Sequence, residues 1–227
     1  MSDNFQLSEM TWTEIDEALK ERPVAIVPLG STQAQGPHLP VSAETTIVLA
    51  AAMRGATKLK ERRIPALILP PVPFSAAELA SDFSGAIPLR PETAPALLRD
   101  VCVATAKHFR AAAIVNLCFD PRHLEALKAA TDEARKAGVS VCHTDFSKKR
   151  WMELLGSSAL LDEHAGSLTT SILMAVAPER VRDSVRISLP PVEGLQAALK
   201  KGARTLAAAG GEEFVLVMPD TDLINAK

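Results

Sequence analysis

The chain has 227 residues, is 47% hydrophobic and carries 25 Lys and Arg against 27 Asp and Glu, for a formal net charge of −2 and a pI near 6.2. That length is enough to bury one substantial core, and residues 1–227 are expected to form a single domain. The charge balance leaves no basic face of the kind that phosphate backbones demand, and Lys-Lys-Arg at 148–150 is too short to supply one, so nucleic acid is not an expected partner. The opening MSDNFQLSEM lacks an apolar signal core, and nowhere do eighteen apolar residues run together, so no membrane association is expected. Three cysteines, at 102, 118 and 142, cannot all pair and sit in apolar or central segments, which fits a reducing compartment. A cytoplasmic protein is the expectation.

Strand-like and helix-like segments alternate along the chain. Residues 13–20 read as a short helix that Thr11 or Thr13 can cap, with Glu14 adding negative charge near its positive end. The apolar run 24–29 reads as a buried parallel strand, and 43–59 as a long Ala-rich helix. Residues 66–69 form a second strand, stopped by the prolines at 70, 71 and 73. An amphipathic helix at 91–109 opens on Pro91-Glu92, and 112–117 is again apolar and of strand length. Then come a helix at 121–136, a short strand at 139–143 after Gly138, and a helix at 167–177. A helix at 195–209 closed by Gly210-Gly211 leads to a last strand at 213–218. This order predicts an α/β fold with a mostly parallel sheet and helices on both faces, with no internal repeat.

Ligands of open α/β sheets bind at the carboxyl ends of the strands. Two segments fall there. The first is Gly-Ser-Thr-Gln-Ala-Gln-Gly-Pro-His-Leu-Pro-Val-Ser-Ala-Glu over 30–44, and the second is Val115-Asn116-Leu117-Cys118-Phe119-Asp120-Pro121. A third block, His164-Ala165-Gly166-Ser167-Leu168-Thr169-Thr170-Ser171, opens a helix. The three resemble, in order, the Gly-Ser-x-Glu-x-His-Gly-Pro-His-Leu-Pro signature with its following Asp, the Val-Asn-Gly-His-x-(Glu or Gly)-Asn turn, and the His-Ala-Gly-x-x-Glu-Thr-Ser block of the creatininase (creatinine amidohydrolase) family. Weaker matches at Met10-Thr11-Trp12, at Phe83-Ser84-Gly85-Ala86-Ile87 and around Gly202 extend the resemblance over nearly the whole chain. It implies a creatininase-like three-layer α/β/α fold, a pair of divalent metals (Zn or Mn) as the family norm, and a homo-oligomer, hexamers being common in the family.

Carried over position by position, the family's metal-binding Glu is Gln33, its His is Gln35, its Asp is Glu44, and the His of the second block is Cys118. Asp120 falls where some members place a metal-binding Glu, and Thr169 replaces the carboxylate of the third block. His164 is retained at the position that the resemblance links to proton transfer. A dinuclear site needs carboxylates and imidazoles to balance two cations and to ionise water near neutral pH. Neutral amide oxygens suit a hard ion and bind weakly by themselves. No bound metal or other cofactor is therefore expected. A hard ion on Glu44 and Asp120, or one remodelled zinc on Cys118, Asp120, Glu44 and His38, stays open as an alternative.

Each of these residues also has a plain structural role. His38 lies between prolines in a rigid loop and suits a scaffold hydrogen bond. Cys118 can be a small apolar residue, inert without a neighbouring cation. Asp120 before Pro121 can cap the following helix. His164 can orient the next helix or move protons in a pocket. Ser167 and Thr169 suit a helix start, and Phe109, Phe119 and Phe146 suit a core. Ser31 with His38 or His164 and Glu44 is the only triad to weigh, and no Gly-x-Ser-x-Gly elbow exposes the serine. No dinucleotide or nucleoside triphosphate loop is present. Two readings follow. One is a non-catalytic member with a dismantled metal site, binding an unnamed small molecule or assembling with an intact paralogue; the other is an amidohydrolase of a cyclic amide or related C–N bond that uses one remodelled metal or none.

Overall fold

A computed structural model describes residues 5–144, 164–189 and residue 205. The predicted helix at 195–209 and strand at 213–218, the surroundings of Gly202, Phe146 and the 148–150 basic run lie outside these residues, apart from position 205. Helix α1, Trp12–Leu19, starts where a capping box forms: Glu14 N–H donates to Thr11 Oγ1 at 3.4 Å and Thr11 N–H donates to the Glu14 carboxylate at 2.7 Å. Of the two threonines considered from sequence, Thr11 is the cap.

Four strands, β1 Val24–Leu29, β2 Ala66–Ile68, β3 Ala111–Asn116 and β4 Val141–His143, form one sheet in the order β2-β1-β3-β4. All three pairings are parallel, with Val24 opposite Ala66 on one side and Ala111 on the other, and Ala112 opposite Val141. The parallel fold expected from alternation is present. Helices α2, Ala43–Glu61, α3, Thr93–Thr105, α4, Pro121–Lys136, and α5, Ser167–Val176, supply the flanking layers, followed by the single turn α6, Asp183–Arg186.

Alternation along the strands assigns the faces. Val27, Leu29, Ala112 and Ile114 pack with Leu98 and Cys102 of α3 and with Leu127, Ala130 and Ala134 of α4. The opposite side chains, Ile26, Ile68 and Val115, pack with Ala52 and Ala56 of α2, and α5 adds Leu173 on that side. Period-two patterning on both faces makes the three-layer sandwich. Pro28 is tolerated in a central strand for a local reason. Its carbonyl accepts from Val72 N–H, so its missing N–H falls on the β2 side, beyond the end of that strand.

Boundaries differ from expectation where local chemistry intervenes. Helix α3 ends at Thr105, whose hydroxyl donates back to the Cys102 carbonyl at 2.7 Å and competes with another helical turn. Helix α2 continues to Glu61, with Lys58 and Lys60 placed favourably against its negative end. Strand β4 starts at Val141, because Val139 N–H is still occupied by the Ala134 carbonyl as α4 closes over Gly138 at φ +84°. Of the three cysteines, Cys102 and Cys118 are buried, whereas Cys142 is exposed on β4. Among the described residues no helix is long and apolar enough to cross a membrane.

The strand order places a topological switch point between β1 and β3, since the chain leaves β1 toward β2 and returns to β3 on the other side. Gly30 sits at that point. A Cβ there would lie 2.7 Å from the backbone nitrogen of Thr45 and 2.9 Å from its Cα, so only glycine lets the end of β1 approach the first turn of α2. Gly30→Ala is expected to push α2 off the sheet and cost about 3 kcal/mol, in the upper range for overpacking, because the obstacle is backbone. A urea midpoint within experimental error of wild type would refute the close approach.

Candidate functional site

The segments after β1 and β3 converge on one carboxylate. Glu44 lies in the first turn of α2 and is 5% exposed. Its Oε1 accepts from Gln33 Nε2 at 2.9 Å and from Gln35 Nε2 at 3.0 Å, and its Oε2 accepts a short hydrogen bond from the Ser31 hydroxyl. Cys118, from the β3 end, closes the group: its Sγ is 3.7 Å from Gln33 Nε2 and 3.9 Å from Ser31 Oγ. Burial pushes the Glu44 carboxyl up, and the Ser31, Gln33, Cys118 and Gln35 donors oppose that rise. The thiol of Cys118 is held well above its usual range, by burial first and then by the Glu44 and Asp120 charges, so it stays protonated and is a poor nucleophile.

Asp120 belongs to the architecture. Its Oδ1 accepts from the backbone amides of Arg122 at 2.8 Å and His123 at 3.2 Å, capping α4, as its place before Pro121 indicates. Its Oδ2 accepts from the amides of Glu78 at 2.8 Å and Leu79 at 2.6 Å. Four amides fill the carboxylate's four acceptor sites and tie the loop at 78–79 to the start of α4. Burial raises its pKa, and these four bonds counter the shift. A hard ion shared by Asp120 and Glu44, the alternative left open by the sequence, would have to compete with these four amide bonds.

The histidines are scaffold elements too. His38, fully buried, holds Thr170 of α5 through Nε2 at 2.9 Å, while its carbonyl accepts from Arg182 N–H. This is the loop-bracing role read from its prolines. His164 Nε2 lies 2.8 Å from the Ala34 carbonyl, which can only accept, so that nitrogen carries the proton. The bond pins the block opening α5 to the loop bearing Gln33 and Gln35, across Ala165 at φ +56°, a left-handed conformation that alanine adopts at a cost. Neither histidine lies between Ser31 and Glu44, which touch directly, so the triad weighed from sequence does not form. Thr169 is buried near the start of α5, and Ser167 is that helix's first residue.

Two residues escaped sequence reading as parts of the site's frame. Asn116 Oδ1 accepts from Cys118 N–H at 3.1 Å and from His123 Nε2 at 2.7 Å, while its Nδ2 donates to the Cys118 carbonyl at 3.1 Å. This clamp fixes the turn that presents Cys118. An Asn two residues before a turn residue is a recognisable signal for such a local bond. His123, two residues into α4 beyond Pro121, carries no signal, because its partner is set by how α4 packs on β3.

The residues at the family's ligand positions do not fit a pair of divalent metals. Gln33 and Gln35 turn N–H groups toward Glu44, Cys118 is a protonated thiol, and Asp120 is consumed by amides. Among the described residues no group of three or more His, Cys, Asp or Glu is placed to hold a metal ion.

Burial sets the acid response. His38, His123 and His164 are each pushed down from 6.5 to about 4, in every case mainly by burial; Arg186 adds to the shift at His38 and His143 at His123, while the bond to Ala34 works against it at His164. Each binds fewer protons folded than unfolded between those values. The stability they contribute is therefore complete above pH 6.5 and is lost as pH falls through 6.5 toward 4. Glu44 and Asp120, shifted upward from 4.5 and 3.8 mainly by burial, act in the opposite sense above those values. The melting temperature should fall steadily from pH 7 to pH 5, and His123→Gln should flatten that slope by about one proton, or ~1.4 kcal/mol per pH unit. A melting temperature that holds or rises over this interval would contradict the neutral buried imidazoles.

Comparison with known proteins agrees with the geometry of the fold. The family described as Creatininase: Creatinine amidohydrolase matches residues 8–218. A mycofactocin precursor peptide peptidase of Mycobacterium ulcerans (strain Agy99) is 30% identical over 199 residues, covering 83% of this chain and 73% of that protein. The crystal structure of a creatinine amidohydrolase (creatininase) superposes with a TM-score of 0.68 at 20% identity, over 84% of this chain and 78% of that one. A mutant creatininase described as Zn-Zn type superposes at 0.65 with 20% identity, over 84% and 78% of the two chains. With a family match across nearly the whole chain and the same parallel sandwich, this protein belongs to the creatininase family.

Proposed function

We propose that this protein is a creatininase-family member that has left metal-dependent hydrolysis, acting as a small-molecule-binding protein or as a partner subunit. The observation that carries this reading is the saturation of both acids near the ligand frame. Glu44 is filled by neutral side-chain donors and Asp120 by four backbone amides. A metal-activated water needs free carboxylates and imidazoles, and the residues at those positions are spent on one another. The reading includes a homo-oligomer, or assembly with a catalytically intact paralogue, because the fold frame persists where its chemistry has been replaced.

The second reading is a hydrolase of an amide or related C–N bond that relies on His164. Two observations favour it: the relatives named as precursor peptide peptidases, and a His164 imidazole that stays neutral well below pH 7, as a general base requires. Its weakness is the commitment of Nε2 to Ala34, which leaves only Nδ1 for chemistry.

Metal content and turnover separate the readings. After dialysis the protein should hold well under one transition metal per chain by elemental analysis, and near two equivalents of zinc or manganese would overturn the first reading. No turnover should be measurable on creatinine-like cyclic amides or short peptides, with or without added manganese. A robust rate abolished by His164→Ala would establish the second reading in its place.

A further inference from the structure

The arrangement around Glu44 has a direction. Gln33 and Gln35 are each 2% exposed, and both end their Nε2 on the same carboxylate oxygen. Their Oε1 atoms are buried and have no hydrogen-bond partner among the described residues. An orphaned buried acceptor is costly, and turning either amide round would relieve its own orientation only by aiming a carbonyl at a carboxylate about 3 Å away. Both amides thus spend their N–H groups on one carboxyl oxygen and leave their own acceptors unused. Ser31 serves the other oxygen of the same carboxylate, and every donor to Glu44 recorded among the described residues is neutral.

We propose that Ser31, Gln33 and Gln35 form a neutral counter-charge that takes over, for Glu44, the electrostatic work that cations would do in an intact dinuclear site. The exchange of ligands is then a conversion: one carboxylate and its ring of N–H and O–H dipoles make a self-sufficient, metal-independent unit. The positions are coupled. Gln33 and Gln35, two apart in the loop after β1, end their amides on the same oxygen, and the first turn of α2 adds its own positive end beside Glu44. Restoring a second carboxylate alone would place two anions in one buried space with no cation between them. This inference rests on the reading that no divalent pair is held: tightly bound metal in the wild type would sink both, whereas a Gln33→Glu protein as stable as wild type without metal would sink the inference alone.

Thermal melts in chelator-treated buffer at pH 7.5 decide it. Gln33→Glu should lower the melting temperature by about 10 °C, as expected for an uncompensated buried charge in a chain of this size, and added manganese or zinc should return most of that loss. Wild type should show no saturable response to either metal. Gln33→Met, which removes the amide without adding charge, should lose stability without metal rescue. The exchange variant Gln33→Glu/Glu44→Gln, which keeps a single carboxylate among amides, should melt well above Gln33→Glu, showing positive coupling between the two sites. It also decides the matter if Gln33→Glu alone does not fold. The proposal is overturned by a wild-type melting temperature that rises saturably with manganese or zinc, by a Gln33→Glu protein as stable as wild type without metal, or by an exchange variant no more stable than Gln33→Glu.

Discussion

A single buried carboxylate organises the end of this sheet. Glu44 is fixed by α2, and its donors come from the loop after β1, with the Cys118 thiol arriving from the turn after β3. A carboxylate removed from water must be met by donors or neutralised, and here the donors are supplied by neighbours in sequence and by an adjacent strand. The conformation of the 30–44 segment follows from that demand. So does the requirement for glycine at position 30, because α2 must begin close enough to β1 for Glu44 to reach back under the loop.

Asp120 repeats the solution in a purely structural form. Its two oxygens collect four backbone amides from two separate stretches, so one side chain caps α4 and anchors the loop at 78–79. The contrast between the two acids is informative. Asp120 uses amides that any sequence would provide, whereas Glu44 depends on the particular side chains of Ser31, Gln33 and Gln35. Backbone donors make a cap; here dedicated side-chain donors hold a buried carboxyl beside the sheet's end.

The histidines complete this frame without taking part in a reactive cluster. His38 joins the first signature loop to α5, His164 joins the start of α5 to Ala34, and His123 braces the Asn116 clamp. Each is buried and neutral near pH 7, so the scaffold around Glu44 is held by imidazoles acting as hydrogen-bonding spacers.

Much of the architecture was legible in the sequence because strand and helix periodicities are local. The runs at 24–29 and 121–136 match the strand and helix observed there, and two of the three blocks fall at the carboxyl ends of β1 and β3, with the third opening α5. Sequence also determined that Gln33, Gln35, Cys118 and Thr169 lack the charge a dinuclear centre needs, since that depends on residue type alone. Tertiary structure decided what those residues do. That both amides meet one oxygen of Glu44, that Asp120 reaches Glu78 and Leu79, and that His164 turns to Ala34 all depend on contacts spanning 9 to 130 positions. Such contacts are set by how α2, α4 and α5 pack on the sheet, and a hydrogen bond has a partner only once the packing has chosen one.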